Sequence, residues 1–156
     1  MRIGISTAAG CCVMVLVSAG GCGSSSYEPT PPAASSLAGT TQTAVLLGYD
    51  AKAKLVEFSP AVLYVQDNGI GYYQAVAGAA TYRFPLSTNS AVLSAKTLCP
   101  GGKPDANLLG TTPCTVDELT TALAAQPRGA EPIGARLTID SHGEITKIAE
   151  AEGPGN

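Results

Sequence analysis

The sequence predicts a mainly β fold of the α+β kind. The expected architecture is a small antiparallel sheet, curled into a half-barrel or partly open barrel, with one or two short helices. Three observations predict it. Apolar and polar residues alternate with period two in several short runs, as half-buried strands require. Asp, Asn, Gly and Pro punctuate these runs at short intervals. One stretch, Val116–Ala125, instead carries helical periodicity and a start signal. Strands this short bury their apolar faces by curling, with the helix over an open end or face.

Ala44–Tyr49 is an apolar run, expected to be a strand buried on much of both faces. Asp50–Lys52 reads as a turn, and Lys54–Ser59 alternates as its antiparallel partner. Pro60 then interrupts, and Ala61–Gln66 is expected as a third strand. Asp67-Asn68-Gly69 closes it, because Asn and Gly tolerate positive φ. In Ile70–Ala80, Ile70, Tyr73, Ala77 and Ala80 recur at helical spacing, which predicts a short helix despite Gly71 and Gly78. Thr81–Leu86 reads as a strand with Pro85 at an edge, and Ala91–Leu98 as a further extended segment.

The clearest helix is Val116–Ala125. Thr115 and Glu118 form a capping box, and Val116, Leu119 and Leu123 make the buried stripe with Ala122 alongside. The clearest hairpin is Ala135–Asp140, a Ser141-His142-Gly143 turn, and Glu144–Ala149. Ile145 and Ile148 break strict alternation, which predicts a bulge near Thr146.

Before this domain the composition changes. Gly23–Thr43 is dominated by Ser, Thr, Pro, Ala and Gly and has too little apolar surface to offset its ordering entropy. Residues 22–43 are therefore expected to form a flexible tether, residues 44–150 a single β-rich domain, and residues 151–156 a disordered tail. The first residues read as an export signal. Arg2 precedes an apolar stretch ending near Val17, too short for a transmembrane helix of about 20 residues but suited to a cleaved h-region. A signal peptide over 1–21 is expected.

Ser18-Ala19-Gly20-Gly21 followed by Cys22 resembles a bacterial lipoprotein signal. The resemblance implies that Cys22 is lipidated and becomes the mature N-terminus. It also implies a place in the cell envelope, at the outer face of the cytoplasmic membrane. A diacylglycerol supplies the two chains that stable anchoring requires. A plain signal peptide cut near Ala19 or Gly21 is the alternative. Cys11 and Cys12 leave with the signal, so Cys99 and Cys114 remain as a pair in an oxidising compartment, where a disulfide is expected. It would close a loop rich in Pro and Gly. A metal or redox pair is the rival reading, but CxxC spacing is missing and a structural zinc site wants four ligands.

The order of elements resembles that of small secreted proteins and lipoproteins of actinobacteria. The residues carrying it are the hairpin ending in Phe58, Tyr82-Arg83-Phe84, the capped helix, and the closing L-T-I-D-S-H-G-E-I-T-K-I. An N-terminal hairpin, a middle segment and a final D-x-x-G-x-V-T-x-I hairpin recur in those proteins. The resemblance implies location and architecture. It carries no catalytic residues, because the group has no settled activity.

The net charge is −3, with no basic run and no aromatic–basic interleaving, which argues against nucleic acid and anionic headgroups as direct partners. His142 is the only histidine; a hairpin turn explains it better than a general base does. Ser141 beside it makes no triad, and no G-x-S-x-G occurs. Asp50, Glu57, Asp67 and Asp140 fall near strand ends or on exposed faces, where solvation accounts for them. Asp117 and Glu118 belong to the helix start. Asp67-Asn68-Gly69 lacks the further oxygen ligands of a calcium loop. No catalytic residue, metal or cofactor is expected.

Tyr64, Tyr72, Tyr73, Tyr82 and Phe84 cluster in the middle of the chain and read either as core or as a binding face. The functional expectation is a lipid-anchored envelope protein that binds, without catalysis, an envelope protein or an apolar ligand. Two alternatives stand beside it: a carrier holding an apolar or lipid ligand inside the barrel, and a hydrolase with a carboxylate pair.

Overall fold

The computed structural model describes residues 36–127 and 130–155. The expected signal peptide, Cys22 and the tether up to residue 35 lie outside the described residues. Among the described residues, seven strands and one helix follow in order: β1 (Thr41–Asp50), β2 (Leu55–Val65), β3 (Gly71–Ala75), β4 (Tyr82–Ser94), β5 (Thr112–Cys114), α1 (Val116–Ala125), β6 (Ile133–Ile139) and β7 (Ile145–Glu150).

The mainly β curled sheet is what the structure shows. Its order is β3-β2-β1-β6-β7-β4-β5, and β2 also pairs with β4. That extra pairing closes β1, β2, β4, β7 and β6 into a ring, leaving β3 and β5 as appendages. Five strands closed in this order make a small Greek-key barrel of OB-type architecture. That architecture hosts many unrelated functions and so names none here. The pairings are antiparallel except β4 with β7. The parallel pair follows from connectivity, since the chain crosses through β5, α1 and β6 before β7 returns beside β4.

Side chains fill the ring. Leu46, Val56, Phe58, Phe84, Leu137, Ile139, Ile145 and Ile148 belong to one buried cluster, joined by Leu119 and Leu123 from α1. The helix starts as expected: the Thr115 hydroxyl accepts from the Glu118 amide while the Glu118 carboxylate accepts from the Thr115 amide. Asp67-Asn68-Gly69 turns as expected too, with Gly69 at φ +83° and the Asn68 side chain accepting from the Ile70 amide.

Several expectations are corrected. Pro60 does not end a strand. β2 runs through it, pairing with β1 as far as Pro60 opposite Ala44 and with β3 from Ala61 opposite Ala75. A proline suits this handover because it leaves no ladder donor unpaired. Ile70–Ala80 is not a helix but β3 followed by a turn. The tight turn at Gly69 returns the chain against β2, where Tyr72 and Tyr73 favour extended backbone, and Gly78 sits at φ +73°. The separate strands expected around Pro85 and Ala91 are one bent strand, β4. Its first part pairs with β2 and its last part with β7, with an irregularity between Leu86 and Ala91.

In the final hairpin Thr138 pairs with Lys147 and Ile139 with Ile145, so Thr146 is the extra residue. The bulge lets Ile145 and Ile148 both face the core. The Asp140 carboxylate accepts from the His142 and Glu144 amides in the turn.

The domain is longer than 44–150 at both ends. Leu37 is buried, the Gly39 amide donates to the Asp140 carbonyl, and Thr41–Thr43 pair with β6. Beyond β7, the tail is tied down rather than disordered. The Ala151 amide donates to the Gly134 carbonyl, and the Pro154 carbonyl accepts from the Gly71 amide at 2.7 Å. Backbone hydrogen bonds, to which composition is blind, order both ends.

Candidate functional site

The aromatic cluster separates into core and surface. Tyr82 and Phe84 belong to the core, which removes them from the expected binding face. They alternate with exposed Arg83 and Pro85 along β4, and their rings pack on Phe58 at centroid distances of 5.8 and 5.7 Å. Outside the barrel, Arg83 meets Glu57 across the strand pair at 2.9 Å.

Tyr64, Tyr72 and Tyr73 lie on the β2–β3 ribbon. Once β2 has left β1, four consecutive residues are exposed: Val62 (55%), Leu63 (44%), Tyr64 (51%) and Val65 (50%). A strand packed on a core would bury alternate residues. Exposure of all four means the barrel covers this stretch on neither face. Cross-strand pairing puts Val62, Tyr64, Tyr72 and Gln74 on one side, with the Tyr64 and Tyr72 rings 5.3 Å apart. On the other side the Tyr73 ring lies over Gly134 of β6. A Cβ at Gly134 would run into that ring, so glycine is what lets the ribbon approach. Contiguous exposed apolar surface of this kind marks interaction sites.

Beside β3 is a cleft of about 360 Å³, lined by Tyr72, Tyr73, Lys96, Ile133, Glu150 and Glu152 among others. The Lys96 ammonium and the Glu152 carboxylate stand 3.5 Å apart at it. A second groove, of about 570 Å³, lies between α1 and residues 96–100.

The residue missed in the sequence is Glu150. It is 4% exposed. Its Oε2 accepts from the Ser94 hydroxyl and the amides of Ala95, Lys96 and Leu98, and its Oε1 accepts from the Thr97 amide at 2.8 Å. Burial pushes its pKa up. The Lys96 amide, the Ser94 hydroxyl and the Leu98 and Thr97 amides pull it down and prevail, leaving it below the ordinary value. The carboxylate thus replaces a strand partner for residues 94–98 and sets the path into Cys99. Alternation from Ile148 would have placed Glu150 inward, and that was the available signal.

Cys99 and Cys114 form the expected disulfide, with their Cα atoms 5.9 Å apart. Glu118 lies near their sulfurs, but the sulfurs are bonded to each other and the carboxylate caps α1, so the trio is no metal site. The other expected positions serve turns. Asp50 accepts from the Lys52 and Ala53 amides, Asp67 is exposed at the ribbon tip, and His142 is exposed in its turn.

Comparison with protein-family models, with curated proteins and with solved structures finds no match to this chain.

Proposed function

We propose that this is a lipid-anchored cell-envelope protein that acts by binding, without catalysis, and that the β2–β3 ribbon and the cleft beside it form the binding surface. One observation carries the reading: a run of large apolar residues is held out of the core on a ribbon whose Tyr72 and Tyr73 line a cleft. Its ligand is an apolar molecule or an envelope protein. Anchoring through Cys22 comes from the sequence.

Two features favour binding over the alternatives. The barrel interior is filled by Phe58, Phe84 and the aliphatic cluster, which favours a ligand outside it over a carried lipid within. Glu150, Glu57, Glu118, Asp50 and Asp140 each hold a backbone or arginine partner, which suits structural roles better than a hydrolytic pair.

The test is a photo-crosslinking side chain placed at Tyr72 in the living host. A discrete adduct at 72, with none from the same group at exposed His142, is expected. Equal or absent labelling at both positions overturns the assignment.

A further inference from the structure

We propose that the outer face of the β2–β3 ribbon docks on the neutral interfacial layer of the bilayer, giving the domain a second, non-covalent membrane contact. This rests on the lipid-anchor reading above and divides its surface: the outer face of the ribbon meets lipid, and the cleft on the Tyr73 side is left to the ligand.

The outer face carries Val62 and Tyr64, both exposed, with half-buried Tyr72 against Tyr64. Residues 61–76 contain a single charged residue, Asp67, and no Lys or Arg. An apolar surface with tyrosines suits the boundary between headgroups and acyl chains, where amphipathic rings concentrate. The ribbon has no cation to attract anionic lipid, the nearby Lys96 is held by Glu152, and the net charge, −3 for the full sequence, opposes it. A neutral, zwitterionic surface is therefore the chemistry that fits.

The length of chain ahead of the domain supplies the second argument. Thirteen residues, Gly23–Ser35, separate Cys22 from the first described residue. A chain of that length reaches at most about 45 Å. A domain of about 100 residues has a radius of gyration of about 13 Å. The tether's full reach is thus comparable with the domain's own width and keeps the ribbon near the lipid. At that effective concentration the anchored domain makes the contact more often than a free chain does.

The experiment compares the lipidated full chain in phosphatidylcholine vesicles with the chain from Gly23 onward, which keeps the whole barrel, in solution. Hydrogen exchange is read over Val62–Gln74. We expect exchange at least tenfold slower in the anchored chain. The double variant Val62→Asp, Tyr64→Asp should abolish the difference while leaving protection of β1 and β6 unchanged. Equal exchange in the two states overturns the proposal. So does ribbon protection in solution that rises with protein concentration, which would mean that a second copy covers the face. The intact mass of membrane-extracted protein tests the anchor separately. If Cys22 carries no lipid, the chain from Gly23 is titrated with phosphatidylcholine vesicles. Binding that weakens at least tenfold in the double variant sustains the ribbon contact, and no binding overturns it.

Discussion

Replacing Glu150 by Gln tests the carboxylate that organises residues 94–98. The variant keeps the shape but offers one acceptor oxygen where the native side chain offers two, and it turns an amide donor toward donors. In the native protein Oε2 takes up the Ser94, Ala95, Lys96 and Leu98 donors and Oε1 the Thr97 amide. Hydrogen bonds to a charged acceptor are worth about 1.5–3 kcal/mol each, and a buried donor left unpaired costs about 1–3 kcal/mol. Such contributions are not additive, so a loss of about 3–5 kcal/mol is expected at pH 7. A domain of this size has roughly 5–15 kcal/mol in total, so the variant folds but melts well below the native protein.

The assay is urea unfolding with the disulfide intact, from neutral to acid pH. The folded-state pKa of Glu150 is depressed. Its contribution is therefore fully present above the unfolded value of about 4.3 and lost as pH falls through the folded value. The gap between native and variant should be constant at neutral pH and shrink in that acid window. A gap under about 0.5 kcal/mol at pH 7, or one that persists undiminished at the lowest pH, would refute the reasoning.

Three other outcomes are expected. Replacing Cys99 and Cys114 together by Ser opens a loop of sequence separation 15 and should cost about 3 kcal/mol in thermal or urea unfolding. Gly134→Ala drives a methyl into the Tyr73 ring and the Ala151 carbonyl and should cost about 1–3 kcal/mol; a second change, Tyr73→Ala, should recover part of that loss in a double-mutant cycle. Phe84→Ala, in the core, should cost about 3–5 kcal/mol, whereas Tyr64→Ala, on the exposed ribbon, should change stability by less than about 1 kcal/mol in the same urea series.

The elements that could be read from the chain are those whose signals are local. The Thr115–Glu118 box starts α1 by bonds made within one turn. The Asn68-Gly69 turn needs only the backbone freedom of those residues. The bulge at Thr146 follows from the spacing of Ile145 and Ile148. The misread elements depend on a partner distant in sequence. Pro60 reads as a break until β3 is seen to take over from β1. Ile70–Ala80 has helical spacing, but pairing with β2 outweighs it. Leu37 and the tail look too polar in context to order, yet Asp140 and Gly71 supply backbone partners.

For the site the division is the same. Sequence alone pointed to a cluster of tyrosines and to one disulfide pair, because residue identity and spacing are enough for those. It could not divide Tyr82 and Phe84 from Tyr64 and Tyr72, since Tyr64, Tyr82 and Phe84 sit in β-rich runs of similar composition and Tyr72 in a stretch with helical spacing. Only closure of the barrel, with β4 paired to β2 on one side and β7 on the other, turns the first pair inward. The departure of β2 from β1 at Pro60 leaves the second pair outside. Burial is a property of what lies across the sheet, and that is decided by contacts between residues far apart in the chain.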